Sequence, residues 1–83
     1  MKVLYFAWLR AKVGTGEETV VPPEDVADVA ALVEWLRSLS PGHAEALADL
    51  AVVRVAVNQD YVGLDAPVRP GDEVAFFPPV TGG

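Results

Sequence analysis

Val3-Leu4-Tyr5-Phe6-Ala7-Trp8-Leu9 is a run of seven apolar residues without a polar interruption. An apolar run of strand length with no alternation belongs to a strand covered on both faces, which puts it in the middle of a sheet. It stops at Arg10 and Lys12 with no small-residue cleavage site after it, so it reads as a strand, not a secretory leader. Residues 10–16 are expected to turn the chain, punctuated by Gly14 and Gly16. Residues 17–21, rich in Thr and Val, read as a second, partly exposed strand. Pro22-Pro23 ends it, because proline cannot donate to a ladder.

Beyond the prolines the period changes. Val29, Leu32, Val33 and Leu36 stand at i, i+3, i+4 and i+7 and line one face of a helix, with Asp25 or Asp28 as its cap. Pro41-Gly42 is expected to end that helix, and residues 44–50 to add one or two further helical turns. From Ala51 the period becomes 2: Val53, Val55 and Val57 point one way, Arg54, Ala56 and Asn58 the other. Asn58-Gln59-Asp60 reads as a turn and Tyr61-Val62 as a short strand. Arg69-Pro70-Gly71-Asp72 has Pro and Gly in type II order. Residues 73–77, Glu-Val-Ala-Phe-Phe, form the last strand. The result is an α+β domain over residues 1–77: a single mixed sheet with one main helix across one face. The apolar strands from the two ends of the chain should lie together in its middle.

One helix covers one sheet face, yet both end strands are apolar on both sides. Val74 and Phe76 share a side, and Phe77 falls opposite with Ala75. Leu4, Phe6 and Trp8 likewise alternate against Val3, Tyr5 and Ala7. Either the second face is an interface, or the short elements at 44–50 and 61–66 cover it. Phe6 is correspondingly core or interface.

The composition closes off several kinds of function. No cysteine is present, which excludes a thiolate metal site or a cysteine nucleophile, and one histidine, His43, leaves no pair for zinc. Six basic against twelve acidic residues give a net charge of −6. That sign disfavours nucleic acid and favours a partner with a basic docking surface. No apolar stretch is long enough to cross a bilayer, and the cytoplasm is the expected compartment. Gly14-Thr15-Gly16 lacks the lysine and strand–loop–helix setting of a phosphate loop and reads as a turn. Ser38, Ser40 and His43 crowd one helix end without triad spacing and read as helix-end polar residues. Asp72-Glu73 reads as solvated charge or as salt-bridge partners for a docking surface.

The chemistry is expected in the tail. Residues 78–83, Pro-Pro-Val-Thr-Gly-Gly, carry no charged side chain. Two prolines favour an extended chain that can carry a terminal carboxylate roughly 15–20 Å from the domain. Gly82 and Gly83 leave nothing beside that carboxylate, so the tip suits a narrow channel in another protein. A free carboxylate is inert until activated. Adenylation with ATP would make it an acyl donor, and the domain has no group to perform that step.

Gly71-Asp72-Glu73-Val74-Ala75-Phe76-Phe77-Pro78-Pro79-Val80-Thr81-Gly82-Gly83 closely resembles the C-terminus of the small subunits of molybdopterin synthase. Val57-Asn58-Gln59 resembles that family's mid-chain motif, and Val3-Leu4-Tyr5-Phe6-Ala7 with Arg10 and Val13-Gly14 its opening. Thr81 stands where a smaller residue is also common. The resemblance implies a ubiquitin-like β-grasp fold with parallel, central end strands. It implies a sulfur carrier in molybdenum cofactor biosynthesis, a non-catalytic sulfur-donating subunit that binds no cofactor or metal itself. A ubiquitin-activating-type adenylyltransferase would adenylate Gly83 with ATP. Sulfur from a cysteine desulfurase or rhodanese-like donor would then give a C-terminal thiocarboxylate. The tail, Pro78, Pro79, Val80, Thr81 and Gly82, would insert into the large subunit, in a heterotetramer, and deliver sulfur to precursor Z (cyclic pyranopterin monophosphate). Phe77, with Phe6 and Arg10, would meet the partners. The rival readings are a carrier serving the thiazole of thiamine or tRNA thiolation, a ubiquitin-like protein modifier, and a β-grasp interaction module without terminal chemistry. The Phe76-Phe77-Pro78-Pro79 segment favours the first reading.

Overall fold

The computed structural model describes residues 1–79; Val80, Thr81, Gly82 and Gly83 lie outside the described residues. Its elements are β1 (Lys2–Tyr5), α1 (Trp8–Val13), β2 (Glu17–Thr19), α2 (Val29–Arg37), α3 (Pro41–Ala46), a 3-10 turn (Leu50–Val52), β3 (Arg54–Val57), β4 (Asp60–Val62) and β5 (Glu73–Phe77). The five strands form one sheet in the order β2-β1-β5-β3-β4. β1 and β5 are central and parallel, in the register Val3 to Val74 and Tyr5 to Phe76, and all other pairs are antiparallel. The end strands lie together in the middle of the sheet, as their apolar runs led one to expect, and their parallel pairing gives the mixed sheet of the β-grasp fold that the resemblance implies.

The inner face of the sheet packs on the helices. Val3, Tyr5, Val74 and Phe76 point inward and are at most 1% exposed, as are Val29, Leu32, Val33 and Leu36 of α2. Asp28 is the cap of α2, its carboxylate accepting the Ala31 N–H at 2.8 Å. Leu9 of α1 and Ala46 and Leu47 from α3 and its end complete the same core.

Three local expectations are corrected. The opening run is not one strand: β1 ends at Tyr5, Ala7 takes φ 55°, and Trp8 begins a helix. An apolar run does not by itself separate strand from helix. Here Leu9 is wholly buried, and Lys12 and Gly14 are a helix C-terminal signal: Gly14, at φ 97°, donates its N–H to the Arg10 carbonyl. Second, Pro41-Gly42 does not end α2, which stops before Ser38; it starts α3, with Ser40 as cap and Pro41 in the first turn, where a missing N–H costs nothing. A Cβ on Gly42 would collide with the Lys12 carbonyl oxygen, so glycine lets α3 lie against α1. Third, the turn after β3 has two residues, not three. Asn58 and Gln59 both have positive φ (50° and 72°), the mirror-image turn that matches strand twist, and Asp60 already pairs with Val57.

The segments at 44–50 and 61–66 leave the second sheet face open. Ala46 and Leu47 belong to the core on the helix side. Leu64 and Ala66 accept the backbone N–H groups of Ala30 and Val29 at the start of α2. Tyr61 is itself part of the open face.

Candidate functional site

β5 leads straight into Pro78-Pro79, so the root of the tail is fixed by a central strand. Phe77, the last strand residue, lies on the outer face, as the alternation requires. Its cross-strand neighbour is Arg54. Its ring stands 5.5 Å from that of Tyr61 at an interplanar angle of 44°. On the other side the Phe6 N–H donates to the Phe76 carbonyl at 3.1 Å, placing Phe6 beside the same root. Phe6 is 49% exposed and is therefore not core. Between these aromatics lie Leu4, Ala75 and Ala56, neighbours in one row across β1, β5 and β3.

Two shallow grooves flank the root. One is lined by Arg54, Val55, Tyr61, Val62 and Phe77. The other runs along Leu4, Phe6, Ala7 and Arg10 to Gly16 and Glu17. Arg10 lies over Gly16: a Cβ there would stand 3.1 Å from the Arg10 Nε. These grooves offer apolar surface, the guanidinium groups of Arg54 and Arg10 and, beside Arg10, the Glu17 carboxylate. Among the described residues no three His, Asp or Glu side chains gather as metal ligands, and no helix is long and apolar enough to cross a membrane.

Of the residues expected at the site, Phe77, Phe6, Arg10, Pro78 and Pro79 stand at or beside the tail root. Val80, Thr81, Gly82 and Gly83 fall outside the described residues. Tyr61 and Arg54 are additions that the sequence reading did not single out. The signal for Tyr61 was available: a two-residue turn fixes it opposite Ala56, hence on the face away from Val55 and Val57.

A second polar cluster lies on the helix side. The Tyr5 hydroxyl donates to Glu18 Oε2 at 2.7 Å, and His43 Nε2 lies 2.6 Å from the same oxygen. Ser40 Oγ lies 2.7 Å from His43 Nδ1 and accepts the His43 N–H. With Nε2 donating to the carboxylate, Nδ1 accepts the serine proton, so every group has a partner. Burial first, then the hydrogen bond and charge of Glu18, push the Tyr5 phenol above its ordinary value. Ser40 and His43 are helix-end residues as expected, but the acid that joins them comes from β2 and not from their own helix. The Ser40 hydroxyl serves as a helix cap, so the cluster is a strut between α3 and the sheet.

Asp72 joins two turns at the surface. Its Oδ2 accepts the Arg69 N–H at 2.8 Å and its Oδ1 accepts from the Asn58 amide at 3.1 Å. Asn58 in turn accepts the Glu73 N–H at 3.0 Å. The mid-chain Val57-Asn58-Gln59 motif therefore ties the β3–β4 turn to the turn before β5, with the Asp72 carboxylate bridging them at the surface.

With this geometry in view, comparison with known proteins gives a consistent picture. The model of a family described as the ThiS family matches residues 3–83. The molybdopterin synthase sulfur carrier subunit of Escherichia coli K12 is 47% identical over 83 residues, covering 100% of this chain and 99% of the relative. Among solved structures, one named molybdopterin converting factor, subunit 1, from Pyrococcus furiosus is 36% identical, covers 95% of each chain and superposes with a TM-score of 0.75. SAMP1 from Haloferax volcanii is 27% identical, covers 100% of this chain and 98% of its own, and gives a TM-score of 0.77.

Proposed function

This chain belongs to the ThiS family of ubiquitin-like sulfur carriers, and from that premise we propose that it is the sulfur-carrying small subunit of a molybdopterin synthase. The observation that carries the proposal is the continuous match through the final glycine, joined to a tail root that rises from a central strand between exposed aromatics.

In the proposed cycle an adenylyltransferase of the ubiquitin-activating type couples the Gly83 carboxylate to ATP, forming an acyl adenylate and releasing pyrophosphate. The outer sulfur of a persulfide, supplied indirectly by a cysteine desulfurase, attacks the acyl carbon and expels AMP; a thiol then reduces the acyl disulfide so formed, leaving with the inner sulfur as a disulfide and freeing the thiocarboxylate. Phe77 and Phe6 seat the domain on the large subunit while residues 78–82 carry Gly83 into its active site. There the thiocarboxylate sulfur displaces an oxygen substituent from a side-chain carbon of precursor Z, the C–O bond breaking and its oxygen leaving protonated as the C–S bond forms. Water then cleaves the acyl–sulfur bond, so sulfur stays on the pterin and Gly83 returns as carboxylate. Two such deliveries supply the dithiolene. This chain contributes the reactive terminus and its placement; the catalytic side chains are the large subunit's, and ATP belongs to the activating enzyme.

Intact-mass measurement after incubation with a competent activating enzyme, ATP and a sulfur source tests this directly. The expected result is replacement of one oxygen by sulfur at Gly83, absent when Gly82-Gly83 is deleted. An unchanged mass defeats the proposal. The likeness to SAMP1 favours one rival, a protein modifier joined through its terminus to lysine. Under that reading copurification yields conjugates in place of a large subunit.

A further inference from the structure

The chain is strongly acidic as a whole, yet the charge at the tail root has the opposite sign. Among the described residues Lys2, Lys12 and Arg37 are each paired with a carboxylate, Glu17, Glu45 and Glu34. Among the described residues Arg10, Arg54 and Arg69 are in no ion pair, and Arg69 stands in the turn before β5, at the opposite end of that strand from the tail. Arg54 reaches only backbone carbonyls, those of Ala51 and Val53 at 3.3 and 3.4 Å. The sheet register explains why. Arg54 shares its row with Phe77, whereas Glu73 stands at the far end of β5 opposite Lys2, and Glu17 pairs with Leu4. No described carboxylate occupies the Phe77 row. Arg10 lines the groove on the other side with Phe6 and Glu17, whose carboxylate is paired with Lys2 and not with Arg10. In a chain with twice as many acids as bases, two of the three arginines without an ion pair among the described residues bracket the strand from which the tail departs.

We propose that Arg10 and Arg54 are two cationic anchors either side of the tail, and that the large subunit presents aspartate or glutamate opposite each around the mouth that receives it. This rests on the docking reading above and adds its charge pattern. The aromatics supply apolar contact that is tolerant of rotation; two separated charges fix the rotation of the domain about the tail. Seating the domain lowers the local dielectric around the guanidinium groups, so a carboxylate opposite each is what offsets their loss of water. The net charge of the chain describes its long-range field, while these two residues describe the contact.

Calorimetric titration of the large subunit with the full chain, at low and high salt, tests the assignment. For the wild type, Kd should rise with salt. Arg54→Glu and Arg10→Glu should each weaken binding by about tenfold or more, with Arg54→Gln between, and the double reversal should lose most of the salt dependence. Arginine in place of the facing carboxylate of the large subunit should restore binding to Arg54→Glu. Melting temperatures equal to the wild type's establish that the variants are folded. Reversals that leave Kd unchanged, or tighten it, overturn the proposal. A wild-type chain that neither binds the large subunit nor acquires sulfur at Gly83 defeats the functional reading and this proposal with it. One that does both while ignoring the reversals defeats the charge assignment alone.

Discussion

Phe76 and Phe77 are adjacent on β5, identical in chemistry, and opposite in circumstance. Phe76 is 1% exposed, stacked 6.1 Å from Tyr5 and roofed by the helices, while Phe77 faces outward beside Tyr61, which is 81% exposed. The inner face is filled by Val3, Tyr5, Val74 and four residues of α2. The outer face repeats the apolar pattern with Leu4, Phe6 and Ala75, and among the described residues no element lies over it. One sheet thus has a face that holds the domain together and a face that is apolar without a stability reason. Surface of that second kind is a candidate docking surface.

The largest expected effect separates these two faces. Phe76→Ala leaves a cavity among groups that cannot collapse and should cost about 3–5 kcal/mol in denaturant unfolding. Phe77→Ala should cost about 1 kcal/mol or less, chiefly its ring contact with Tyr61, yet impair association with the large subunit. Equal losses of stability in the two variants would break the contrast between the faces.

A smaller effect sharpens the account of the inner face. Tyr5 has a folded-state pKa raised above its unfolded value, so the folded state prefers the neutral phenol. Its contribution is fully present below about pH 10, the ordinary tyrosine value, and is lost as pH rises beyond that. Unfolding free energy should therefore fall on the alkaline limb. Tyr5→Phe should cost about 1 kcal/mol near neutrality and flatten that limb. An unchanged limb in Tyr5→Phe would remove the phenol from the strut.

The smallest effect belongs to the exposed rim. Lys12 and Glu45 meet at 2.7 Å, and the lysine lowers the Glu45 carboxyl below its usual range, but the pair lies in solvent that screens it. Lys12→Ala should leave the denaturation midpoint within experimental error and leave partner binding intact. A measurable loss would show that the α1–α3 contact depends on this pair and not on the close approach at Gly42.

The sequence carried the last strand, the α2 stripe and the type II turn at 69–72 because each is a local pattern. Alternation, a 3.6-residue period and a proline–glycine pair depend on near neighbours only. It also carried the outward aim of Phe77 and the uncharged tail. It did not carry the break after Tyr5, since seven apolar residues satisfy a buried strand and a strand-plus-helix equally. Ser-Pro at 40–41 was similarly two-sided, able to stop one helix or start the next.

What residue order determined by itself is therefore the set of elements with a period, the parity of each strand, and the chemical character of the terminus. Only the tertiary structure decided which apolar face the helices would take, that Glu18 and His43 would meet across 25 positions, and that Arg10 and Arg54 would bracket the same strand. Periodicity is fixed by bonds along the backbone, whereas partnership across the fold depends on which buried surfaces find one another, and no short window of sequence contains both sides of such a contact.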